Sequence, residues 1–260
     1  MNIRRLTTID EMPLMQKVEE AVWQMAPIPV HQLYTTVNHG GLILGAFDGD
    51  EIVAFSYGFP GFDGKRTYLC SHMLGILPDY QQAGLGERMK HEQARHAADM
   101  GYDMMTWTFD PLQSMNAYLN LTKLGARGAH YKVNHYGAMN DRLNQGLETD
   151  RIVIEWHFND DKPVGLPDVT ELTSLVDVTD SVPKARVDRF DPSIDAFIVA
   201  IPRDFHQIKT DDLALAKTWR AETRQAFEKL FANRYEARAA VPVRDENVTH
   251  YYFCKGGASS

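Results

Sequence analysis

The chain has 260 residues, 44% of them hydrophobic and 24% charged, enough for one large domain or one domain with a smaller addition. Its 27 basic and 35 acidic residues leave a net charge of -8, which argues against wrapping a nucleic-acid backbone. No run is long and apolar enough to span a membrane, the N-terminus lacks the apolar stretch of a signal peptide, and the two cysteines, Cys70 and Cys254, show neither metal spacing nor a disulfide framework. A reduced, cytoplasmic setting is the expectation.

In chain order, Asn2 to Thr7 reads as a first strand, and "TIDEMPLMQKVEEAVW" as a helix with Thr8 or Asp10 as its cap. A second helix follows Pro29 through "VHQLYTTVN" and stops at Gly40-Gly41. Leu42 to Phe47 and Ile52 to Tyr57 flank Asp48-Gly49-Asp50, the pattern of a hairpin. Arg66 to Leu77 is the next strand, ended by Pro78, which has no N–H for a ladder. A helix over Gly86 to Met100 closes at Gly101. A strand (Tyr102 to Asp110), a helix ("LQSMNAYLNLTKLG"), a strand or hairpin arm ("ARGAHYKVNHYGAM") and the strand "RIVIEW" follow. The order is that of an α/β protein.

"HFNDDKPVGLPD" turns to Pro, Gly and Asp, so 158–192 reads as a linker. Beyond it come a strand (Asp195 to Pro202), a strong helix (Thr210 to Asn233) and a last strand ("THYYF"). The helix puts Leu213, Ala216, Trp219, Thr223, Phe227, Leu230 and Phe231 on one stripe, with Arg220 and Arg224 at its edge. Pairing with acids is the expected role of those two arginines. The tail, 193–260, is expected to cover one side of a cleft or to form a homodimer contact.

The informative stretch is Gly75 to Gln93. Glycines just ahead of a helix let a ligand approach the free N–H groups of its first turn, where an anion is favoured. A dinucleotide fingerprint needs a third glycine where Met89 stands, and the Gly-Lys-Ser/Thr of a P-loop is absent. What remains is an apolar strand end, Pro78, then Gln81-Gln82-Ala83-Gly84-Leu85-Gly86.

With its flanking strand and helix, and a later helix ending Lys123-Leu124-Gly125, this stretch resembles the acyl-CoA pyrophosphate loop of the GNAT N-acyltransferase superfamily. The resemblance covers residues 1–157. It implies a mixed, mostly antiparallel sheet with splayed central strands flanked by helices; residues 193–260 add a small β-α-β extension. It further implies an acyl-CoA co-substrate, with the pantetheine arm along the backbone of Leu74, Gly75 and Ile76 and the pyrophosphate at residues 81–86. No metal is expected. The "GLETDRIVIEW" and "WRAETRQAF" segments resemble a larger branch of predicted GNAT acetyltransferases, which supplies no substrate.

The implied reaction is attack of an amine on a thioester, and something must take the amine's proton. His72, nine residues before Gln81, is the candidate base; a histidine packed for structure is the alternative. The family's tyrosine near the sulfur falls on Leu121 here, so the acid is in doubt; Tyr118, one turn away, is the candidate, and Asn116 a candidate CoA contact. Tyr136, Arg142 and Arg151 are candidate contacts to a small amine, the arginines as carboxylate clamps. The acceptor is expected to be a small-molecule amine such as an amino acid, and the acyl group acetyl or a longer charged one such as succinyl. The alternative is a catalytically inactive CoA-binding sensor or scaffold, motivated by the missing tyrosine and the extra tail.

Overall fold

In the computed structural model, which describes residues 1–81, 84–137, 146–159, 165, 168–169, 171–244 and 246–256, the expected hairpin is the middle of a first unit. That unit comprises Met1–Trp107 with Trp156–Asp160; a second comprises Thr108–Glu155 with Asp161–Ser260.

The first unit runs β1 (Asn2–Arg5), α1 (Met12–Trp23), α2 (Val30–Asn38), β2 (Leu42–Asp48), β3 (Glu51–Phe62), β4 (Thr67–Ile76), α3 (Leu85–Asp99) and β5 (Met104–Phe109), whose first four residues belong to it. The strands lie in the order β1-β2-β3-β4-β5. β1 to β4 pair antiparallel, and β5 lies parallel to β4. Gly49 makes the β2–β3 turn at φ 59°, in open space. Thr8 opens a 3-10 turn ahead of α1, where Glu11 accepts the N–H groups of Thr7 and Thr8 at 2.8 and 3.1 Å. Met12, Met15 and Val18 of α1 bury against Ile43, Phe47, Ile52, Phe55 and Tyr57, each contributing about 1.5–3 kcal/mol for an aliphatic or aromatic side chain.

The second unit contains α4 (Ser114–Ala117), continued by a π-helical stretch over Tyr118–Lys123. It then runs β6 (Arg127–Lys132), β7 (Arg151–His157, the first five residues), β8 (Val176–Thr179), β9 (Val182–Ala185), β10 (Ala196–Pro202), α5 (Phe205–Asp211), α6 (Leu213–Ala232), β11 (Tyr235–Pro242) and β12 (Val248–Lys255). Its strand order is β7-β6-β11-β12-β10, antiparallel where paired, with β8 and β9 as a separate ribbon.

Three features differ from the sequence expectation. The segment 158–192 carries the β8–β9 ribbon, tied to α6 by Ala185 N–H donating to Glu222 at 2.6 Å. The single helix over 210–233 is two, because Asp212 takes an extended backbone and its side chain caps Leu215 N–H at 2.9 Å. That break leaves Leu213 exposed, while Ala216, Trp219, Thr223, Phe227 and Leu230 are buried as the stripe requires. A strand, β11, fills the stretch after α6; its small alanines gave no clear strand signal.

Arg220 and Arg224 are ion-paired. Arg220, 4% exposed, donates from Nη2 to both oxygens of Asp110 at 2.8 and 2.7 Å. Arg224 holds Asp150 through Nε and Nη2, each at 2.8 Å, and reaches Glu148 at 2.6 Å. Burial opposes ionisation of Asp150, but the bonds from Arg224 and Tyr131 outweigh it and hold the carboxyl below its ordinary range.

Breaking the Asp110 pair strands a buried guanidinium. Asp110→Ala is expected to cost about 3–5 kcal/mol in urea denaturation, and the Asp110→Leu, Arg220→Met double variant to recover most of it. A double variant no more stable than the single one would show that the pair itself, rather than the stranded charge, sets the cost.

Candidate functional site

The site in the first unit begins where two strands part. Among the described residues, β4 pairs with β5 only at Leu69↔Met105 and Cys70↔Thr106. On its other edge β4 stays paired with β3 to its end, so the backbone of Leu74, Gly75 and Ile76 has a strand neighbour on one side only. The β3–β4 register shifts between Tyr57↔Met73 and Gly58↔Ser71, which leaves His72 as the extra residue of a bulge. A bulge bends its strand and sharpens the twist, and this one falls just past the last rung to β5. Gly75 also has a packing role: a Cβ there would meet Phe55 at 2.7 Å and Trp23 at 3.1 Å.

β4 hands over to α3 through Pro78–Tyr80, a 3-10 turn. Gln81 folds back, its Nε2 donating to Ile76 O at 3.2 Å. Gly84 precedes α3 at φ 65°, a left-handed conformation that disfavours other residues, and a Cβ there would meet nothing within 4 Å. The first intrahelical bond is Arg88 N–H to Gly84 O at 3.2 Å, and no side chain caps the helix. The first-turn N–H groups of Leu85 and Gly86 therefore face the positive end of a 15-residue helix, where an anion is favoured. Gln82 and Ala83 lie outside the described residues.

The His72 ring packs against Phe59 and Tyr57, with ring centroids 5.6 and 6.2 Å away, and stays exposed on its open side. Burial against these rings lowers its pKa from 6.5, so the ring is a neutral acceptor at pH 7. Phe59 and Pro60 also line a groove of about 500 Å³ with His31, Gln32, Thr35 and Thr36 of α2 and His39 just after it, none of them a permanently charged side chain.

Behind the bulge lies a group that the sequence reading passed over. Lys90 of α3 is 4% exposed; its Nζ donates to Ser71 Oγ at 2.9 Å and sits 3.7 Å from the centroid of the Trp107 ring. Ser71 in turn donates to Gln93 Oε1 at 2.6 Å. Gln93 Nε2 and Ser56 Oγ, both on fully buried residues, have no partner. Burial brings the Lys90 pKa down to about 7, with only a weak opposing pull from Cys70, whose own thiol is pushed up by burial. The signal was periodicity: Met89, Gln93 and Ala97 are buried at i, i+4 and i+8, and Lys90 lies beside Met89 on that face.

The other candidates belong to the second unit. Tyr118 is half-buried at the start of the π-helical stretch and Asn116 is exposed. Asn120, four residues on, is buried, so the two asparagines do not share an environment. Tyr136 shares a hydrogen bond with Thr108 at 2.8 Å and lies under the guanidinium of Arg151, 5.3 Å from its centroid. Arg151 is buried and donates to Asp150 O at 2.8 Å. Arg142 lies outside the described residues. Among the described residues no cluster of three metal-ligating side chains occurs, and no helix is long and apolar enough to cross a membrane.

Residues 8–124, which contain the parting strands, the bulge and the glycine-led helix, match the model of the acetyltransferase (GNAT) family. That segment is similar to a GNAT domain. Solved structures similar to it include the ribosomal-protein-S18-alanine N-acetyltransferase from Escherichia coli, 16% identical over 64% of this chain and 97% of that one, TM-score 0.49. The ribosomal-protein-alanine N-acetyltransferase from Brucella melitensis is 16% identical over 60% and 99%, TM-score 0.48. An IAA acetyltransferase from Bacillus cereus ATCC 14579 is 14% identical over 60% and 98%, TM-score 0.46. None of them assigns a substrate to this chain. No curated protein matches the chain.

The buried amine makes stability depend on pH with a definite sign. Between about pH 7 and 10.5 the unfolded chain holds the Lys90 proton and the folded chain does not, so stability falls as pH drops through that window and levels off below it. The penalty below pH 7 is on the order of 5 kcal/mol. Lys90→Met is expected to stabilise the protein at pH 7 and much less at pH 10, measured by urea denaturation at both; an equal gain at both pH values would contradict the assignment.

Proposed function

We propose that this chain transfers an acyl group from acyl-CoA to the amine of a small molecule. One observation carries the proposal: β4 parts from β5 immediately before a glycine-led helix N-terminus with no side-chain cap. The one-sided backbone of Leu74, Gly75 and Ile76 offers hydrogen bonds to an extended amide-bearing arm, and the first-turn N–H groups of Leu85 and Gly86 suit a pyrophosphate.

In this proposal His72 accepts the proton of the attacking amine, directly or through one water. The new C–N bond forms as the C–S bond breaks, and the sulfur departs as a thiolate, good enough as a leaving group that Tyr118 need not be an acid. A main-chain N–H at the bulge supports the oxyanion as it develops. The α2–β3 groove shares Phe59 with His72, so an acceptor lying in it brings its amine toward the base. Tyr136 and Arg151 are kept as candidate contacts to a carboxylate on the acceptor.

Titration calorimetry with acetyl-CoA tests the binding half: Gly84→Glu is expected to abolish binding, because the substitution strains the φ 65° backbone and sets a carboxylate against the anion. His72→Gln is expected to lower kcat about 10²-fold on any amine that turns over. It should also erase an acid limb whose midpoint lies below 6.5, since burial lowers the pKa of the wild-type ring. An unchanged rate across pH would reject His72 as the base. Tight binding with no transfer to any amine in a broad panel would favour the sensor reading.

A further inference from the structure

The point at which β4 and β5 separate is filled by an amine. Ser71 is the first β4 residue past the last rung and Trp107 the first such residue of β5, and Lys90 Nζ touches both: 2.9 Å to Ser71 Oγ and 3.7 Å to the Trp107 ring centroid. Both partners are neutral. A buried ammonium ordinarily has a carboxylate against it, and the second unit obeys that rule with Arg220 on Asp110 and Arg224 on Asp150. Lys90 breaks it. Among the described residues no ion pair involves it, and the one titratable group that acts on its charge is the Cys70 thiol. A further buried polar atom close by, Gln93 Nε2, lacks a partner. Gln93 is bonded to Ser71, and a Cβ on Gly58, the cross-strand partner of Ser71, would lie 3.3 Å from Gln93 Nε2.

We infer that the missing counter-ion is a carboxylate carried by the acyl group, so that Lys90 selects a dicarboxylic monothioester, such as a succinyl or malonyl chain, over acetyl. The inference rests on the proposed acyl-CoA site, in which an arm running along Leu74–Ile76 toward Ser71 delivers its acyl end to the separation point. Lys90 sits there on α3, the helix whose N-terminus takes the pyrophosphate. Ser71 Oγ, already donating to Gln93, accepts from the amine and leaves the remaining Nζ protons for the ligand. Gln93 Nε2 is a further donor in the same buried patch. A carboxylate there also stabilises the charged form of Lys90, so binding above pH 7 draws a proton from solvent.

The test is titration calorimetry of the whole protein with CoA, acetyl-CoA, malonyl-CoA and succinyl-CoA at pH 8, in two buffers of different ionisation enthalpy, for wild type and Lys90→Met. The expected result is that a carboxylate-bearing thioester binds wild type at least about tenfold tighter than acetyl-CoA, with net proton uptake. Lys90→Met should lose both the preference and the uptake, and a cooperative urea transition shows that it is folded. Ser71→Ala, which keeps the amine, should retain the preference. Equal affinity of wild type for acetyl and carboxylate-bearing thioesters, with CoA still bound, would overturn the inference and leave the acyl-CoA site standing. Failure of every CoA species to bind would overturn the site itself and the inference with it.

Discussion

A single extra residue in one strand organises the first unit. With His72 inserted between Ser71 and Met73, β4 changes register against β3 just after its last contact with β5. An antiparallel edge that continues on one side and is released on the other turns backbone groups of Leu74–Ile76 away from any strand, and Gln81 takes up one of them, the Ile76 carbonyl. The same strand end delivers the chain through Pro78 to Gly84 and the N-terminus of α3. The opening between the strands and the position of His72 therefore follow from one local departure from regular pairing.

Much of this was legible in the sequence because it depends on residues with few conformational alternatives. Gly84 in front of a helix, Pro78 after an apolar strand and Asp48-Gly49-Asp50 between two strands each limit the backbone by themselves. The bulge was not legible: nothing in "CSHML" distinguishes a regular strand from one with an extra residue, because the register is set by the partner strand. β11 escaped for a related reason. Ala237, Ala239 and Ala240 are buried among larger neighbours and acquire strand geometry from β12, not from their own preference. The break at Asp212 was readable in principle, since an aspartate three residues before a free N–H is a cap, but the long apolar stripe masked it.

The candidate site shows the same division. His72 and the loop were found by position in a pattern. Lys90, Ser71 and Gln93 were not, since a lysine in a helix is nearly always a solvated one. Periodicity places Lys90 beside Met89 at the margin of the apolar face, and the structure shows that it is buried there. The two units handle buried charge in opposite ways. In the second, guanidinium groups on α6 are matched to Asp110 and Asp150, and the cost of burying each charge is largely offset in place. In the first, the charge is left without a match and the amine loses affinity for its proton instead.

The π-helical stretch over Tyr118–Lys123 bears on how this segment is compared with others. Its hydrogen bonds reach back five residues, as in Leu124 N–H to Leu119 O at 2.9 Å, so the turn holds one residue more than an α-helix of the same span. Counting backward from Gly125 and counting forward from Ser114 therefore assign neighbouring side chains to the same point in space. A comparison anchored at the Lys123-Leu124-Gly125 end places Leu121 where a tyrosine is sought; one anchored at the other end moves that position by a residue. Equivalence along this helix is a matter of phase rather than of aligned letters, and a gap of one, placed inside the π turn, is the physically meaningful way to bring the two ends into step.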